Sequence, residues 1–463
     1  MMTGTHMRTL LQCYLVISLT LFSALGYTKA SENCLSINAD FAKLQALSAQ
    51  GKYRFVNQLS SKDIPTFSYE LQQSYQSYLD FAMQKVIALN PRAKQPCPVN
   101  TETYQQLAKQ HGWQTQANIA QLVAPFELKQ ANNDKAILLI HGLTDSPFIF
   151  HDIAQFFYQQ GFNVRTLLLP GHGTAPSDLL NVHRQAWLQA ASYAIERTLL
   201  DYQQVYLGGL STGGTLIFDH LMHQQQVDSK IKGLFMWSPA SKAKSDLAWL
   251  AKYVDYIPFI DWIDLEADAD FAKYESFPYN AAAQVHELMS SVVANQDMAG
   301  RSMHDIPVFA VVSEHDQTID TEHTLSFISR WQQGSSQQQN KHSTLIYYGD
   351  KENIPAQLPK LLKVINPKCQ QEDWCADVFD VSHISTTNAP DNPHYGVTGA
   401  YRNCGHYLKD DARYQACKTQ DKVIKGEVTQ ANITKAIPLK RLTYNPYYQE
   451  MLSEILVFLA ATQ

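Results

Sequence analysis

A serine between glycines is the first feature of this sequence that could do chemistry. Ser211 lies at the centre of the pattern G-x-S-x-G, residues 209–213, between the apolar run QVYL and the segment TLIFDHLMH. A serine nucleophile held on a sharp strand-to-helix turn needs small residues two positions away on either side. The N-terminus of the following helix would place partial positive charge beneath a developing oxyanion. The competing interpretation is an ordinary glycine-rich turn, so the partners of the serine must decide between the two.

A serine hydroxyl is activated by a base, and a carboxylate must orient that base. When the nucleophile sits on such a turn, the acid and then the histidine follow it, each after a later strand. The segment IPVFAVVSEHDQTID supplies a strand and then Asp316, which we take as the acid. Glu314 and Asp320 are nearby alternatives, and Asp350 after STLIYYG is a more distant one. An aspartate that only caps a loop is the purely structural interpretation of Asp316.

His383 is the histidine that best fits the base. The chain has 16 histidines, but His383 lies downstream of the acid and follows the apolar, alternating run DVFDVS. His394 in NPHYG and His406 in NCGHY are its rivals. The interval between Asp316 and His383 is long, and the segment NPKCQQEDWC within it resembles an insertion tied by its own disulfide.

The developing negative oxygen needs two backbone N–H groups. One is expected from Thr212, the residue after the nucleophile. The other is expected from the loop HGLTDSP, most plausibly from Leu143, because His141 and Gly142 would let the backbone turn close to the substrate. Alternatively, the His-Gly pair simply terminates a strand.

These residues must be positioned by a sheet. From KAILLIHGL at residue 135 to IKGLFMWSPA at residue 231, apolar strand-like runs alternate with amphipathic helical segments. Such alternation implies right-handed crossovers and a mostly parallel sheet covered by helices on both faces. The predicted fold class is therefore α/β, with the candidate residues in the loops at the carboxyl ends of the strands.

Two regions lie outside this alternation. Residues 31–125 have apolar groups at helical spacing and are predicted to form a helical N-terminal extension packed on the main domain, residues 126–463. Residues 240–300 are aromatic and helical in pattern, and we interpret them as a lid inserted over an apolar pocket. A structural flap without substrate contact is the alternative.

The N-terminus indicates export. Residues 1–30 contain Arg8, then a mostly apolar run and small residues, which is typical of a secretory signal peptide and too short for a convincing membrane span. Removing it leaves six of the seven cysteines, an even number that can pair fully in an oxidising compartment. The expected pairs are local: Cys34–Cys97, Cys369–Cys375 and Cys404–Cys417. Without a C-x-x-C pair, a zinc site is a weak alternative.

Composition narrows the partners. The 463 residues are 45% hydrophobic and 17% charged, enough for a large core, and the net charge of −6 gives no footprint for nucleic acid. No H-E-x-x-H arrangement occurs, so neither a metal nor an organic cofactor is expected. The sequence does not define an oligomeric state, and no integral span is expected once the signal peptide is removed.

Three motifs occur in order: ILLIHGLTDSPFIF, LLLPGHGTAPSDL and LGGLSTGG. Together they resemble the α/β-hydrolase superfamily in its carboxylesterase, monoacylglycerol lipase and lysophospholipase-like branch, best over residues 125–330. The resemblance implies an α/β-hydrolase core with Ser211 as nucleophile, Asp316 as acid and His383 as base. It also implies Leu143 and Thr212 as oxyanion donors. The N-terminal extension and the cysteine-bearing region 367–420 depart from the simple pattern.

The resulting hypothesis is an exported serine hydrolase that cleaves carboxylic esters through an acyl-enzyme intermediate. The substrate class would be acylglycerols, lysophospholipids or similar esters. A peptidase or amidase on the same scaffold needs the same triad, so sequence does not separate it from an esterase. A catalytically silent binding protein with this fold is the alternative from another class.

Overall fold

Apolar runs that end in glycine-containing loops produce the strands of this protein. The computed structural model describes residues 33–37, 41–60, 62–254, 257–295, 305–333, 342–369 and 373–462. The predicted signal peptide lies outside the described residues. The strands are β1 (Pro96–Cys97), β2 (Ala117–Asn118), β3 (Glu127–Leu128), β4 (Lys135–Ile140), β5 (Asn163–Leu167), β6 (Gln204–Leu210), β7 (Ile231–Trp237), β8 (Trp262–Asp264), β9 (Phe277–Pro278), β10 (Val308–Ser313), β11 (Thr344–Tyr348), β12 (Lys363–Ile365), β13 (Ile424–Gly426) and β14 (Leu439–Arg441).

One eight-stranded sheet organises the described residues. Its strand order is β12-β11-β10-β7-β6-β4-β5-β3, and every pair is parallel except β3 with β5. Within β4, Ile137 and Leu139 pack on one face, whereas Leu138 and Ile140 pack on the other. Burial on both faces explains why this strand is continuously apolar rather than alternating. The predicted α/β class is therefore confirmed.

Helices cover both faces. The helices are α1 (Phe41–Gln50), α2 (Tyr75–Leu89), α3 (Glu102–His111), α4 (Ile119–Val123), α5 (His151–Gln159), α6 (Arg184–Asp201), α7 (Thr212–Met222), α8 (Ala251–Val254), α9 (Tyr279–Asn295), α10 (Thr321–Gln333), α11 (Leu358–Leu361), α12 (Asp411–Thr419), α13 (Gln430–Lys435) and α14 (Tyr448–Ala461). Side chains of α5 and α14 bury against one face of the sheet. Those of α6, α7, α9 and α10 bury against the other.

The N-terminal helices share the core of the sheet. In α2, the hydroxyls of Tyr75 and Tyr78 donate to the carbonyls of Thr166 and Leu168 at 2.8 and 3.0 Å. Both tyrosines are buried in the apolar cluster on the α6 face. Their hydroxyls therefore tie α2 to the backbone at the carboxyl end of β5.

The segment 240–300 contains less helix than its sequence pattern predicts. Its described residues form α8, the short antiparallel pair of β8 with β9, and one long helix, α9. Two features interrupt helical periodicity: Pro258 lacks an N–H, and Phe259 and Asp268 have φ of 70° and 49°. Only the last third of the segment therefore keeps a long helix.

The alternating run before His383 favoured a strand, but this run does not form a strand of the main sheet. Val378 forms a single parallel bridge to Lys425 and packs with Leu442 and Tyr444. The sheet edge is already occupied by β12. Val381 is buried in the main core instead, and Phe379 is 41% exposed, so the apolar side chains of this run serve two different clusters rather than one face of a strand.

The three predicted cysteine pairs are present as disulfides: Cys34–Cys97, Cys369–Cys375 and Cys404–Cys417. Across the described ranges, no helix combines the length and the apolar character that crossing a membrane requires.

Candidate active site

Ser211 occupies a strained turn between β6 and α7. Its φ of 52° and ψ of −117° lie outside the ordinary regions for a residue with a side chain. The turn is fixed by hydrogen bonds, because Ser211 N–H donates to Trp237 O at 2.9 Å and Ala240 N–H donates to Ser211 O at 3.2 Å. The residue is 8% exposed, at the carboxyl edge of the sheet. Such a turn presents the hydroxyl above the start of α7.

The flanking glycines are required sterically. A Cβ at Gly209 would overlap the backbone nitrogen of Gly214, and a Cβ at Gly213 would overlap the carbonyl oxygen of Ile140. Backbone atoms cannot move away as a flexible side chain could. Glycine is therefore required at both positions, because α7 passes so close to the ends of β4 and β6.

Asp316 and His383, the predicted acid and base, are joined directly. His383 Nδ1 lies 2.6 Å from Asp316 Oδ2, and both side chains are buried. The other carboxylate oxygen of Asp316 accepts the N–H groups of Thr318 and Ile319 at 2.7 and 2.9 Å. An acceptor at Nδ1 fixes the proton there and leaves Nε2 available as a base.

The serine itself is not bonded to this pair. Among the described residues, no hydrogen bond joins the Ser211 hydroxyl to His383. Both residues lie at the carboxyl end of the sheet. Catalytic hydrogen bonds of this kind often tighten only when substrate is bound. The three predicted triad residues thus lie at the same end of the sheet. The Asp316–His383 hydrogen bond is formed, and the His383–Ser211 hydrogen bond is not.

The rival histidines are engaged elsewhere. His394 is 0% exposed, and its Nε2 lies 2.9 Å from Asp270 Oδ1 amid aromatic rings. His406 Nε2 contacts the carbonyl of Leu439 at 3.1 Å, and burial lowers the pKa of its ring to about 4. Likewise, the alternative acid Asp320 pairs with Lys242 at 3.0 Å.

The loop after β4 lies against Ser211. A Cβ on Gly142 would come within 3.1 Å of Ser211 Cβ, so a larger residue would crowd the serine. Leu143, the predicted oxyanion donor of this loop, is the next residue and is half-buried. Thr212, the other predicted donor, opens α7 and is buried. The two backbone N–H groups therefore belong to segments that flank Ser211.

Two buried histidines shape this loop. His141 Nε2 accepts Leu169 N–H at 3.1 Å, and its Nδ1 contacts Gly142 O at 2.8 Å. His172 Nε2 accepts the N–H of Thr144, a residue with φ of 68°, at 3.0 Å. Burial lowers the pKa of His141 to about 4 and that of His172 to about 3. Both rings are therefore neutral acceptors that hold the loop at physiological pH.

Segment 272–274 of the insertion also grips the loop. Lys273 Nζ lies 2.7 Å from Asp145 Oδ1, and Tyr274 N–H donates to Thr144 O at 2.8 Å. Ser146 Oγ donates to Ala272 O at 2.7 Å. Sequence reasoning had assigned no role to these residues. HGLTDSP contains Asp145, but nothing in the sequence marks Lys273, 128 positions away, as its partner.

A mostly parallel sheet with helices on both faces, and a serine on a strained turn at its carboxyl edge, define the α/β-hydrolase fold. The protein therefore has the α/β-hydrolase fold.

Comparison with known proteins identifies a family model, two curated proteins and a solved structure that this chain resembles. Residues 131–348 match the family model Hydrolase_4, described as serine aminopeptidase, S33. A carboxylesterase of Bacillus subtilis (strain 168) is 24% identical over 203 residues, covering 43% of this chain and 78% of that protein. A thermostable monoacylglycerol lipase of Bacillus sp. (strain H-257) is 25% identical over 191 residues, covering 41% and 73%. The solved structure of a soluble variant of monoglyceride lipase from Saccharomyces cerevisiae is 13% identical, covering 52% and 81%, with a TM-score of 0.39.

The resemblance to the carboxylesterase and monoacylglycerol lipase branch of the α/β-hydrolase superfamily is confirmed by these matches. The segment that matches the family model contains Ser211 and Asp316. His383 lies beyond its end.

Proposed function

We propose that this protein is an exported serine esterase that cleaves carboxylic esters of acylglycerols, lysophospholipids or similar molecules. The observation that carries the proposal is the strained turn of Ser211, which faces a glycine at the loop after β4 and shares its edge with a buried Asp–His pair. A φ of 52° at a serine is retained only where the surroundings enforce it. Positioning a nucleophile is the function such strain serves.

In the first half of the proposed reaction, Nε2 of His383 takes the hydroxyl proton of Ser211 as its oxygen attacks the ester carbonyl. Asp316 holds the ring in the required tautomer and stabilises the imidazolium that forms. The N–H groups of Leu143 and Thr212 stabilise the oxyanion, and the N-terminus of α7 adds partial positive charge. His383 then protonates the departing alcohol, which leaves an acyl group on Ser211.

In the second half, water enters after the alcohol has left. His383 removes a proton from this water, which attacks the acyl carbonyl, and the same N–H groups stabilise the second oxyanion. Return of the proton to Ser211 releases the carboxylic acid. The chain supplies every group in this sequence, and water is the only co-reactant.

Several observations support the finer parts of the proposal. The two curated relatives carry ester-cleaving names, which favours esters as the substrate class. Three disulfides suit an oxidising compartment, which favours export through the predicted signal peptide.

In this proposal the insertion 240–300 acts as a lid. Its segment 272–274 is tied to the loop after β4, whereas eight large apolar side chains between Leu247 and Leu265 are exposed. Phe259, at 98% exposure, is the most exposed of them. Exposed apolar side chains of this kind suit contact with acyl chains.

The serine assignment is tested by covalent labelling with a fluorophosphonate. We expect wild-type protein to be labelled and to hydrolyse p-nitrophenyl esters, and Ser211→Ala to do neither. Ser241→Ala is the matched control, because Ser241 Oγ lies 2.9 Å from Nδ1 of His323 although Ser241 is not on a strained turn. Labelling retained by Ser211→Ala would place the reactive nucleophile at another residue, and wild-type protein that never labels would favour a silent binding protein.

A peptidase or amidase is the second candidate, because the matching family model is described as a serine aminopeptidase. Both activities would use the same Ser211 chemistry. Turnover of p-nitrophenyl acyl esters should therefore be measured beside turnover of aminoacyl amides. Higher kcat/KM for the amides, with both activities lost in Ser211→Ala, would replace the esterase by the peptidase.

A further inference from the structure

A buried ion pair outside the predicted triad lies next to the Asp–His pair. Arg441, the last residue of β14, donates from Nε to Glu427 Oε1 at 2.7 Å and from Nη2 to Glu427 Oε2 at 2.9 Å. Glu427, which directly follows β13, is 0% exposed. The two-pronged geometry fixes the orientation of both side chains as well as their separation.

Glu427 holds the loop of the base. Its Oε2 accepts the backbone N–H of His383 at 3.0 Å, and its Oε1 accepts the N–H of Val428 at 2.8 Å. The carboxylate therefore contacts the residue that bears the imidazole at its backbone. Asp380, on the same loop, accepts the N–H of Glu427 at 2.5 Å. The His383 loop thus donates a hydrogen bond to the Glu427 carboxylate and accepts one from the Glu427 backbone.

Arg441 reaches the loop of the acid. Its Nη2 donates to Thr318 Oγ1 at 3.0 Å, and Thr318 N–H in turn donates to Asp316 Oδ1 at 2.7 Å. Burial lowers the pKa of Arg441, but the carboxylates of Glu427 and Asp316 outweigh burial and raise it. The guanidinium therefore stays charged while it bridges the two loops.

Stability alone does not account for such a pair. Desolvating two charges often costs as much as their attraction returns, and well-packed apolar residues commonly serve stability equally well. An apolar pair could not, however, accept the N–H of His383 and donate to Thr318 at the same time. The geometry of these contacts is thus specific to the loops that carry the acid and the base.

We propose that Glu427 and Arg441 are positioning residues that hold the His383 loop and the Asp316 loop in register for proton transfer. This inference rests on the proposed function, since it assigns those loops the acid and the base. The chain beyond His383 forms β13 and β14, and these strands bring Glu427 and Arg441, which we call the clamp, back to the Asp–His pair.

The clamp also sets the charge around the imidazole. The charged or titratable groups around the His383 loop are Asp316 on the acid loop, Glu427 and Arg441 from the small sheet, and Asp380 on the same loop, with His315 acting on Asp380. Glu427→Gln removes a negative charge and leaves a cation, whereas Arg441→Met removes the cation and leaves a carboxylate. The two variants therefore change the charge around the imidazolium of the proposed reaction in opposite directions.

The test measures kcat, KM and the pH dependence of kcat/KM for p-nitrophenyl esters. We expect kcat to fall on the order of 100-fold in Glu427→Gln and Arg441→Met with little change in KM, as for a misplaced catalytic group. The acid limb should move to lower pH in the first variant and to higher pH in the second. Arg441→Lys keeps the charge without the fork, so it should lower kcat but leave the acid limb in place.

A second buried Arg–Glu pair provides the control. Arg165 Nε lies 2.6 Å from Glu127 Oε1, where β5 pairs with the outermost strand β3, and both side chains are at least nine-tenths buried. Arg165→Met should lower the melting temperature comparably but leave kcat per folded molecule and the pH profile unchanged. Equal kcat losses in Arg165→Met and Arg441→Met, without opposite shifts of the acid limb, would overturn the proposal.

One readout does not depend on turnover. A proton in a short His–Asp hydrogen bond resonates downfield of the amide region in ¹H spectra, so this signal reports the Asp316–His383 pair directly. We expect it to be lost or moved in Glu427→Gln and kept in Arg165→Met. If wild-type protein proves inactive on esters and amides, the proposed function fails, yet the signal still judges the clamp. An unchanged signal in Glu427→Gln contradicts the clamp.

Discussion

At the scale of single residues, the site depends on which ring nitrogen of His383 carries a proton. Asp316 is buried and places its Oδ2 2.6 Å from Nδ1. An amide at this position could donate as well as accept, and it would allow the tautomer whose Nε2 is protonated. That tautomer cannot act as a base.

Asp316→Asn is therefore expected to lower kcat roughly 10⁴-fold with a smaller change in KM. Steady-state kinetics on a p-nitrophenyl ester measures both values. Asp320→Asn is the control, because Asp320 pairs with Lys242 instead and should be replaceable with nearly full activity. If Asp320→Asn caused the larger loss, the acid would have been misassigned.

A second prediction concerns His172, whose pKa burial lowers from 6.5 to about 3. Between these values the unfolded chain binds a proton at this residue and the folded chain does not. The contribution of a neutral His172 to stability is therefore complete above about pH 6.5 and is lost as the pH falls, by about 1.4 kcal/mol per pH unit.

His172→Gln keeps an acceptor for Thr144 N–H but cannot titrate. We expect its free energy of unfolding, measured by urea titration between pH 6.5 and 4, to fall less steeply than that of wild-type protein. The difference in slope should be about 1.4 kcal/mol per pH unit. Parallel curves for the two proteins would show that His172 is not buried in its neutral form.

At the scale of elements, the insertion and the loop after β4 act on each other. Lys273 contributes the ion pair with Asp145, and the neighbouring backbone adds Tyr274 N–H to Thr144 O. Asp145 Oδ2 lies close to Gly142, beside the nucleophile. Because this loop supplies the predicted donor Leu143, we expect a substitution of Lys273 to weaken the stabilisation of the oxyanion.

Lys273→Met is expected to lower kcat on the order of 10- to 100-fold, less than full removal of one oxyanion donor. It also leaves Asp145 without its partner, so thermal unfolding should be followed in parallel. Lys242→Met is the matched control, since it breaks a more exposed pair with Asp320 at 3.0 Å. Full activity in Lys273→Met would mean that the loop keeps its shape without the insertion.

Local elements followed from sequence more readily than distant contacts did. The turn at Ser211 is encoded within five residues, because Gly209 and Gly213 are needed wherever backbone passes so close. Chain order suggested Asp316 and His383, and the structure brings them into hydrogen-bond contact. The strand expected before His383 was wrong, because Val378 packs against Leu442 and Tyr444 whereas Val381 is buried in the main core.

Contacts between remote segments left no local signal. Glu427 meets the backbone of His383 across 44 positions, and Lys273 meets Asp145 across 128. A charged residue in such a position has the same sequence appearance as one in solvent. Only the fold shows that these side chains are buried and paired.

At the scale of the whole molecule, the N-terminal extension is cross-linked within itself, and both cysteines of that link are buried in the core cluster on the α5 face of the sheet. Cys34–Cys97 closes a separation of 63 residues, whereas Cys404–Cys417 closes only 13. A cross-link that closes a longer loop removes more entropy from the unfolded chain. The expected contributions are about 4 and about 3 kcal/mol.

Removing both cysteines of a pair tests this order. Cys34→Ser with Cys97→Ser should lower the denaturant midpoint more than Cys404→Ser with Cys417→Ser, when each is measured against wild-type protein in urea. The reverse order would show that the region around Cys404 stabilises the fold more than loop length implies.

The central claim is that Ser211 becomes acylated, and trapping the acyl-enzyme tests it most directly. A reaction with a p-nitrophenyl ester is stopped in acid and analysed by intact-protein and peptide mass spectrometry. We predict that the protein gains the mass of one acyl group, carried by the peptide that contains Ser211 and absent from Ser211→Ala. An acyl group on another residue, or hydrolysis that continues in Ser211→Ala, would contradict the account.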